Sequence, residues 1–247
     1  MRKMTLLLDN SNTRTKLLFS DDVKLGEEVL YLPTADLSRE SLRSIIGGMA
    51  VSRVMVSSVV PAAVREIEAA FEVPVAFLTP IEELPMHFQY ENVTTLGADR
   101  VANALGCMKW SERACVAVDL GTAVTFDVIV PGETRPCFIG GSIAPGLAVM
   151  GQYLAEKTAK LPRISLENMA PAIGRSTVEA MQSGCLHGFC GMVREVLRGI
   201  ETELGERPFV VATGGDAVLV NNKLGLFDVV DPLLTFRGLH LAAKYFF

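Results

Sequence analysis

Two turns in this chain carry the residue types best suited to hold phosphate. The first, Asp9-Asn10-Ser11-Asn12-Thr13, follows the apolar run Met4 to Leu8 and precedes a second run, Lys16 to Ser20. The other, Asp119-Leu120-Gly121-Thr122-Ala123, lies between Ala114 to Val118 and Val124 to Val130. In each, an aspartate ends a strand-length segment, and small and hydroxyl residues follow. Such a turn presents backbone N–H groups and a threonine hydroxyl to phosphate oxygens, while the aspartate can hold a bridging cation. Lys16, on the return strand, can add a positive charge. Either turn alone reads more simply as an aspartate satisfying local turn hydrogen bonds. The pair, joined by a third turn at Thr213-Gly214-Gly215-Asp216, favours phosphate. Neither GxGxxG nor GxxxxGK[ST] occurs, so dinucleotide-binding and P-loop folds lose their main support.

A second cluster of chemistry-bearing residues runs from Tyr90 to Arg100, YENVTTLGADR. Gly97-Ala98-Asp99-Arg100 opens a helix over Val101 to Met108. A carboxylate in a first helical turn is favoured by the helix dipole, which accounts for Asp99 without any function. In a phosphoryl-transfer site, the same pair offers a base for a hydroxyl and a donor fork for a carboxylate or carbonyl. Spacing alone leaves both readings open. Cys185, His187 and Cys190 raise zinc, but they fall in a helical segment without a nearby fourth ligand, and buried small residues are the better reading.

The elements that must position these residues come in two similar halves. Strand, wide turn and return strand occur twice, which suggests a duplicated domain with the active site in the cleft between the copies. The first half continues with strand Val54 to Ser58, helix Ala62 to Phe71 and strand Val75 to Leu78. The second adds the glycine-rich run Gly140 to Gly146 and a helix from Leu147 to Thr158. A long helix from Ser176 to Leu204, strand Phe209 to Ala212 and a terminal helix Phe236 to Phe247 complete it. Strands alternating with helices indicate an α/β protein. The long helix serves equally as core or as dimer surface.

Composition bounds the rest. At 247 residues with 49% hydrophobic content the chain can bury a sizeable core, and dominant disorder is excluded. Its 23 basic and 28 acidic residues leave a net charge of -5, which argues against nucleic acid as partner. Arg2 and Lys3 precede an apolar run too short for an export signal, and no run is long enough to span a membrane. Five cysteines at irregular spacing point to a reducing, cytoplasmic setting.

With these motifs in order, the sequence resembles type III pantothenate kinase, of the actin-like ATPase and sugar-kinase superfamily. The resemblance rests on LLLDNSNTRTK, YENVTTLGADRVANAL, VAVDLGTAVTFDVI, GGSIAPGLAVMGQYLAEKTAKLP, IGRSTVEAMQSG and VVATGGDA, spread over nearly the whole chain. It implies two ribonuclease-H-like domains with mixed sheets flanked by helices, residues 1–111 and 112–247, in a homodimer. The implied reaction is ATP-dependent phosphorylation of pantothenate to 4'-phosphopantothenate, the first step toward coenzyme A. Mg²⁺ with ATP and a monovalent cation, K⁺ or NH₄⁺, come with it. Matched residue by residue, Asp9, Asn10, Ser11, Asn12, Thr13, Arg14, Thr15 and Lys16 fall on the family's ATP phosphate loop, and Thr122 on a second ATP contact. Asp99 falls on the base that deprotonates the pantothenate hydroxyl. Tyr90, Gly97, Ala98, Asp99, Arg100 and Thr177 fall on the pantothenate site, and Asp119 on the monovalent-cation ligand. One departure stands out: the family's first loop reads Asp-x-Gly-Asn-Thr, and Ser11 holds the glycine position, where it either crowds the terminal phosphate or adds a donor.

Two other readings compete. One is a non-catalytic regulatory protein, an accessory factor for transcription, on the same fold. The full set Asp99, Arg100, Asp119 and Thr122 argues against it. The other is a kinase of a different small hydroxyl compound such as a sugar, which has little use for Tyr90 with the Gly-Ala-Asp-Arg block.

Overall fold

Five segments of the first eighty residues pair into one sheet in a computed structural model that describes residues 4–167 and 170–247. Arg2 and Lys3 lie outside the described residues. The strands are β1 (Thr5–Asn10), β2 (Arg14–Ser20), β3 (Leu25–Pro33), β4 (Arg53–Ser58) and β5 (Val75–Phe77), in the order β3-β2-β1-β4-β5. β1 is antiparallel to β2 and parallel to β4. All six residues of β1 are buried, because both faces of the sheet are covered. Leu6, Leu8, Leu17, Val54 and Val56 point to one face and form a core with Leu42 of α1 (Arg39–Ile45) and Ile67 of α2 (Val64–Ala70). Helices α3 (Ala98–Cys107) and α7 (Leu234–Phe246) pack against each other and cover the other face. The Thr235 hydroxyl donates to Asn103 Oδ1 at 2.8 Å, pinning α7 to α3.

The second sheet repeats the plan. Its strands are β7 (Cys115–Leu120), β8 (Ala123–Val130), β9 (Cys137–Pro145), β10 (Phe209–Thr213) and β11 (Val229–Val230), in the order β11-β10-β7-β8-β9. Read from the other end, this is the strand order of the first sheet. The short β6 (His87–Phe88) pairs with the beginning of β9, Phe88 opposite Phe138. Helices α4 (Leu147–Lys157), α5 (Thr177–Leu204) and α6 (Ala217–Leu224) belong with this sheet. Ser176 caps α5 by accepting from the Glu179 N–H at 3.2 Å. Cys185, Phe189, Val193 and Leu197 of α5 fill the core with Val116, Val118 and Phe126, so most of the α5 stripe is core. His187 Nε2 lies 3.2 Å from both the Ala170 carbonyl and Lys223 Nζ.

The chain falls into two compact units, residues up to 110 with 131–139 and 233–247, and residues 111–130 with 140–232. The terminal helix α7 thus packs with the first unit, whereas a chain-order division at 111/112 places it with the second half. β3, α1, β6 and the strand character of Gly140 to Pro145 go beyond what the sequence pattern indicated. Among the described residues, no helix is long and apolar enough to cross a membrane.

Candidate active site

In the first unit, the turn between β1 and β2 is closed by Ser11, whose N–H and hydroxyl both donate to the Arg14 carbonyl, at 3.1 and 2.9 Å. Asn10 Nδ2 donates to Thr15 Oγ1 at 2.8 Å, and the Ser58 hydroxyl donates to Asn10 Oδ1 at 2.7 Å. Thr34 fastens the loop from outside, donating to the Ser11 carbonyl at 2.7 Å. The scaffold is buried while Asn12, Thr13 and Arg14 stay exposed at the tip. A pinned loop with an exposed tip is what a phosphate cradle requires.

Among the described residues no non-glycine residue has positive φ. Ser11 therefore occupies ordinary backbone, and glycine's conformational freedom is not what this position needs here. Its hydroxyl is spent on the Arg14 carbonyl, within the turn. We expect Ser11→Gly to lose this bond and cost about 1 kcal/mol of stability, while shifting nucleotide affinity less than about threefold. Thermal unfolding and ADP titration of the variant check both.

Asp9 is only 6% exposed, and Lys16 Nζ lies 3.4 Å from its Oδ2. The β1–β4 register sets Ser57 opposite Asp9. Two residues on, Val59 links the loop to α3: its N–H donates to the Asn10 carbonyl at 3.1 Å, and its side chain lies beside Gly97.

Gly97 is the N-cap of α3, and a Cβ there would lie 2.5 Å from Asp99 Oδ1. The glycine leaves room for the carboxylate at the helix start. Burial pushes the Asp99 carboxyl above its ordinary range, and the Arg100 N–H, donating to Oδ1 at 2.8 Å, and the Arg100 charge oppose this only in part. A carboxylate biased toward holding a proton suits a general base. The Arg100 side chain is buried between two rings, its guanidinium carbon 5.8 Å from the Tyr90 ring centre and 5.5 Å from that of Phe138. Tyr90 meets Phe138 edge-on at 5.9 Å. Arg135 steadies the segment leading to Tyr90: it donates to the Leu84 carbonyl at 2.6 Å, to the Glu82 carbonyl and to His87.

In the second unit, Asp119 is the penultimate residue of β7 and Thr122 is exposed at the tip of the β7–β8 turn. Gly214, with φ of 93°, passes so close that a Cβ would lie 2.4 Å from the Leu120 carbonyl and 2.7 Å from Asp119 Oδ1. Thr122 also anchors this region, its carbonyl accepting from the Gly146 N–H at 2.9 Å. Burial raises the Asp216 carboxyl next to this turn. Thr177 stands elsewhere in this unit, exposed on the first turn of α5, at the rim of an apolar groove of about 710 Å³.

The structure thus groups Asp9 to Lys16 in one turn, joins Tyr90 to Arg100 and Gly97 to Asp99, and sets Asp119 beside the Gly214 turn. Thr34, Ser57, Phe138 and Arg135 are additions the sequence did not single out. Ser57 and Ser58 end an apolar run, too weak a signal to single either out. Phe138 and Arg135 had none.

A sequence model of the family described as type III pantothenate kinase matches residues 5–199. A type III pantothenate kinase of Akkermansia muciniphila is 46% identical over 96% of this chain and 97% of its own length. One from Methylacidiphilum infernorum is 38% identical over 97% of this chain and 88% of its own. Among solved structures, a Campylobacter jejuni protein provisionally described as a Baf family transcriptional activator superposes with a TM-score of 0.63. It is 19% identical, over 98% of this chain and all of that one. A glucokinase from an Antarctic psychrotroph gives 0.55 at 11% identity, over 99% of this chain and all of its own. The archaeal actin homologue Ta0583 gives 0.53 at 11%, again over 99% and all of its own chain. At such identities these structures speak to the fold alone, an α/β fold of the actin-like ATPase and sugar-kinase kind.

Proposed function

The chain belongs to the type III pantothenate kinase family, and from that premise we propose that it transfers the terminal phosphoryl group of ATP to the hydroxyl of pantothenate. The observation that carries this is the Asp99 carboxylate, kept basic by burial at the start of α3 and linked through Val59 to the pinned Asp9 loop.

The tip of the Asp9–Lys16 loop offers N–H and hydroxyl groups to the ATP phosphates, with Lys16 adding positive charge. Asp99 orients the pantothenate hydroxyl and accepts its proton as the oxygen attacks phosphorus. The bond from phosphorus to the bridging oxygen breaks, and ADP leaves. Arg100, held against Tyr90 and Phe138, presents its guanidinium fork to a carboxylate or carbonyl of pantothenate. Gly97, Ala98 and Thr177 complete the pantothenate contacts in this reading, and Thr122 adds an ATP contact.

The residues present fit a divalent cation. A buried carboxylate, Asp9, pairs across the strands with Ser57, whose buried hydroxyl has no hydrogen-bond partner; Asp9 would hold Mg²⁺ together with phosphate oxygens and water. Bound with ATP, Mg²⁺ neutralises charge on the transferred group. For the monovalent cation, K⁺ or NH₄⁺, Asp119 is the ligand in this reading, and Gly214, lacking a side chain, lets its own backbone pass close to Asp119 and the Leu120 carbonyl.

A homodimer accords with the α4–α5 groove. Val149, Met150, Leu154 and Met181 line it, and Tyr153 and Val178 remain exposed in a way a second copy would cover. Sedimentation should give twice the chain mass at micromolar concentration, and a monomer would remove this part of the reading. ATP as substrate and five cysteines outside any disulfide accord with the cytoplasm.

The test is ADP formation by purified protein with ATP and Mg²⁺. Dependence on pantothenate and stimulation by potassium are expected. Equal turnover with a sugar in place of pantothenate would favour the broader sugar-kinase reading.

A further inference from the structure

Ser57 is fully buried, and its hydroxyl is the one buried side-chain polar atom among the described residues with no hydrogen-bond partner. A buried hydroxyl in that state is unfavourable unless water or a ligand completes it. Its neighbour Ser58 shows the contrast. Ser58 projects from the opposite face of β4 and is satisfied by Asn10, as expected of a structural serine.

Placement supplies the second observation. The strand registers align Lys16, Asp9 and Ser57 across β2, β1 and β4. Paired residues of neighbouring strands point to the same face, so the orphan hydroxyl shares a face with the buried Asp9 carboxylate, and Lys16 reaches that carboxylate from the strand on the other side. The second sheet repeats the arrangement. Thr213 of β10 pairs with Asp119 of β7, and Thr125 of β8 lies across from it. Each strand-end aspartate therefore has a hydroxyl residue at the same neighbouring position.

We propose that Ser57 is a positioning residue for the divalent cation that accompanies the nucleotide, its hydroxyl sharing with Asp9 the hydrogen bonds of the water shell of that ion. This rests on the kinase reading. Mg²⁺ keeps several of its waters on binding, and an uncharged oxygen next to a carboxylate can hold such a water without adding charge. Lys16, 3.4 Å from Asp9 Oδ2, limits the negative charge of the row.

The test is calorimetric titration of ADP into wild-type protein and Ser57→Ala, with Mg²⁺ and with EDTA. Mn²⁺ binding to the ADP complex, followed by electron paramagnetic resonance, is a second readout. We expect Ser57→Ala to hold metal-free ADP affinity within about twofold while raising the half-saturating Mg²⁺ or Mn²⁺ concentration about 5- to 20-fold. The melting temperature should stay or rise, since only an unsatisfied atom is removed. An equal loss with and without metal, or no shift in metal affinity, would overturn the proposal. So would a melting temperature lowered by about 5 °C or more, which would mark Ser57 as structural. Wild-type protein that binds ADP without any response to Mg²⁺ would overturn the kinase reading together with this inference, whereas normal wild-type behaviour with an indifferent variant would overturn the inference alone.

Discussion

Asp99→Asn lowers kcat by ~10²-fold or more while pantothenate affinity changes little. Asparagine keeps the shape and can still accept a hydrogen bond at the start of α3, but it cannot take a proton. The pH profile gives a sharper signature. Burial raises the Asp99 carboxyl above its ordinary value of 3.8, so the acidic limb of kcat/KM in the wild type lies above the usual carboxylate range. Activity falls as pH drops through that raised value, and the residual activity of the variant lacks the limb. The stability effect has the opposite sense. A carboxyl with a raised folded-state pKa favours folding most when protonated, below its unfolded value, and this contribution is lost as pH rises through the folded value. Asp99→Asn therefore unfolds at a higher temperature than the wild type at neutral pH, and the gain disappears in acid. Equal stability and equal kcat in the two proteins would remove Asp99 from the role of base.

Arg100→Met raises the KM for pantothenate by roughly 30- to 100-fold, and kcat changes less. The guanidinium is buried against Tyr90 and Phe138, so its fork is already oriented when substrate arrives. Arg100→Lys restores the charge without the planar fork or the ring stacking, and it recovers only a small part of the affinity. Steady-state kinetics with circular dichroism as a folding check reads both variants. A loss confined to kcat would move Arg100 from substrate binding to the phosphoryl group. Full rescue by lysine would show that charge alone matters.

The parts of this fold that were legible in sequence share a physical cause. β1, β4, β7 and β10 are buried on both faces and so read as short apolar runs ended by Asp, Ser or Thr. α5 carries both its cap and its stop in the sequence, Ser176 and Gly205, the latter at φ of 72°. β3 was missed because its exposed residues, Glu27 and Glu28 among them, break any apolar signal. β9 was missed because its glycines look like a loop until a sheet is built around them. The site divides in the same way. Asp9, Asp99 and Asp119 could be found because each sits at the end of an element, where a charge needs a reason. Ser57 could not, because a serine within a strand shows neither its burial nor its lack of a partner. Phe138 and Arg135 act through pairings of the β6–β9 region, which local pattern does not specify.

The most direct test follows the label from γ-labelled ATP in a single turnover with Mg²⁺, potassium and pantothenate, for wild type and Asp99→Asn. The account predicts label in phosphopantothenate matching the ADP formed by the wild type, and loss of that transfer in the variant while both proteins stay folded. Label released as inorganic phosphate regardless of pantothenate, or transfer undiminished in Asp99→Asn, would contradict it.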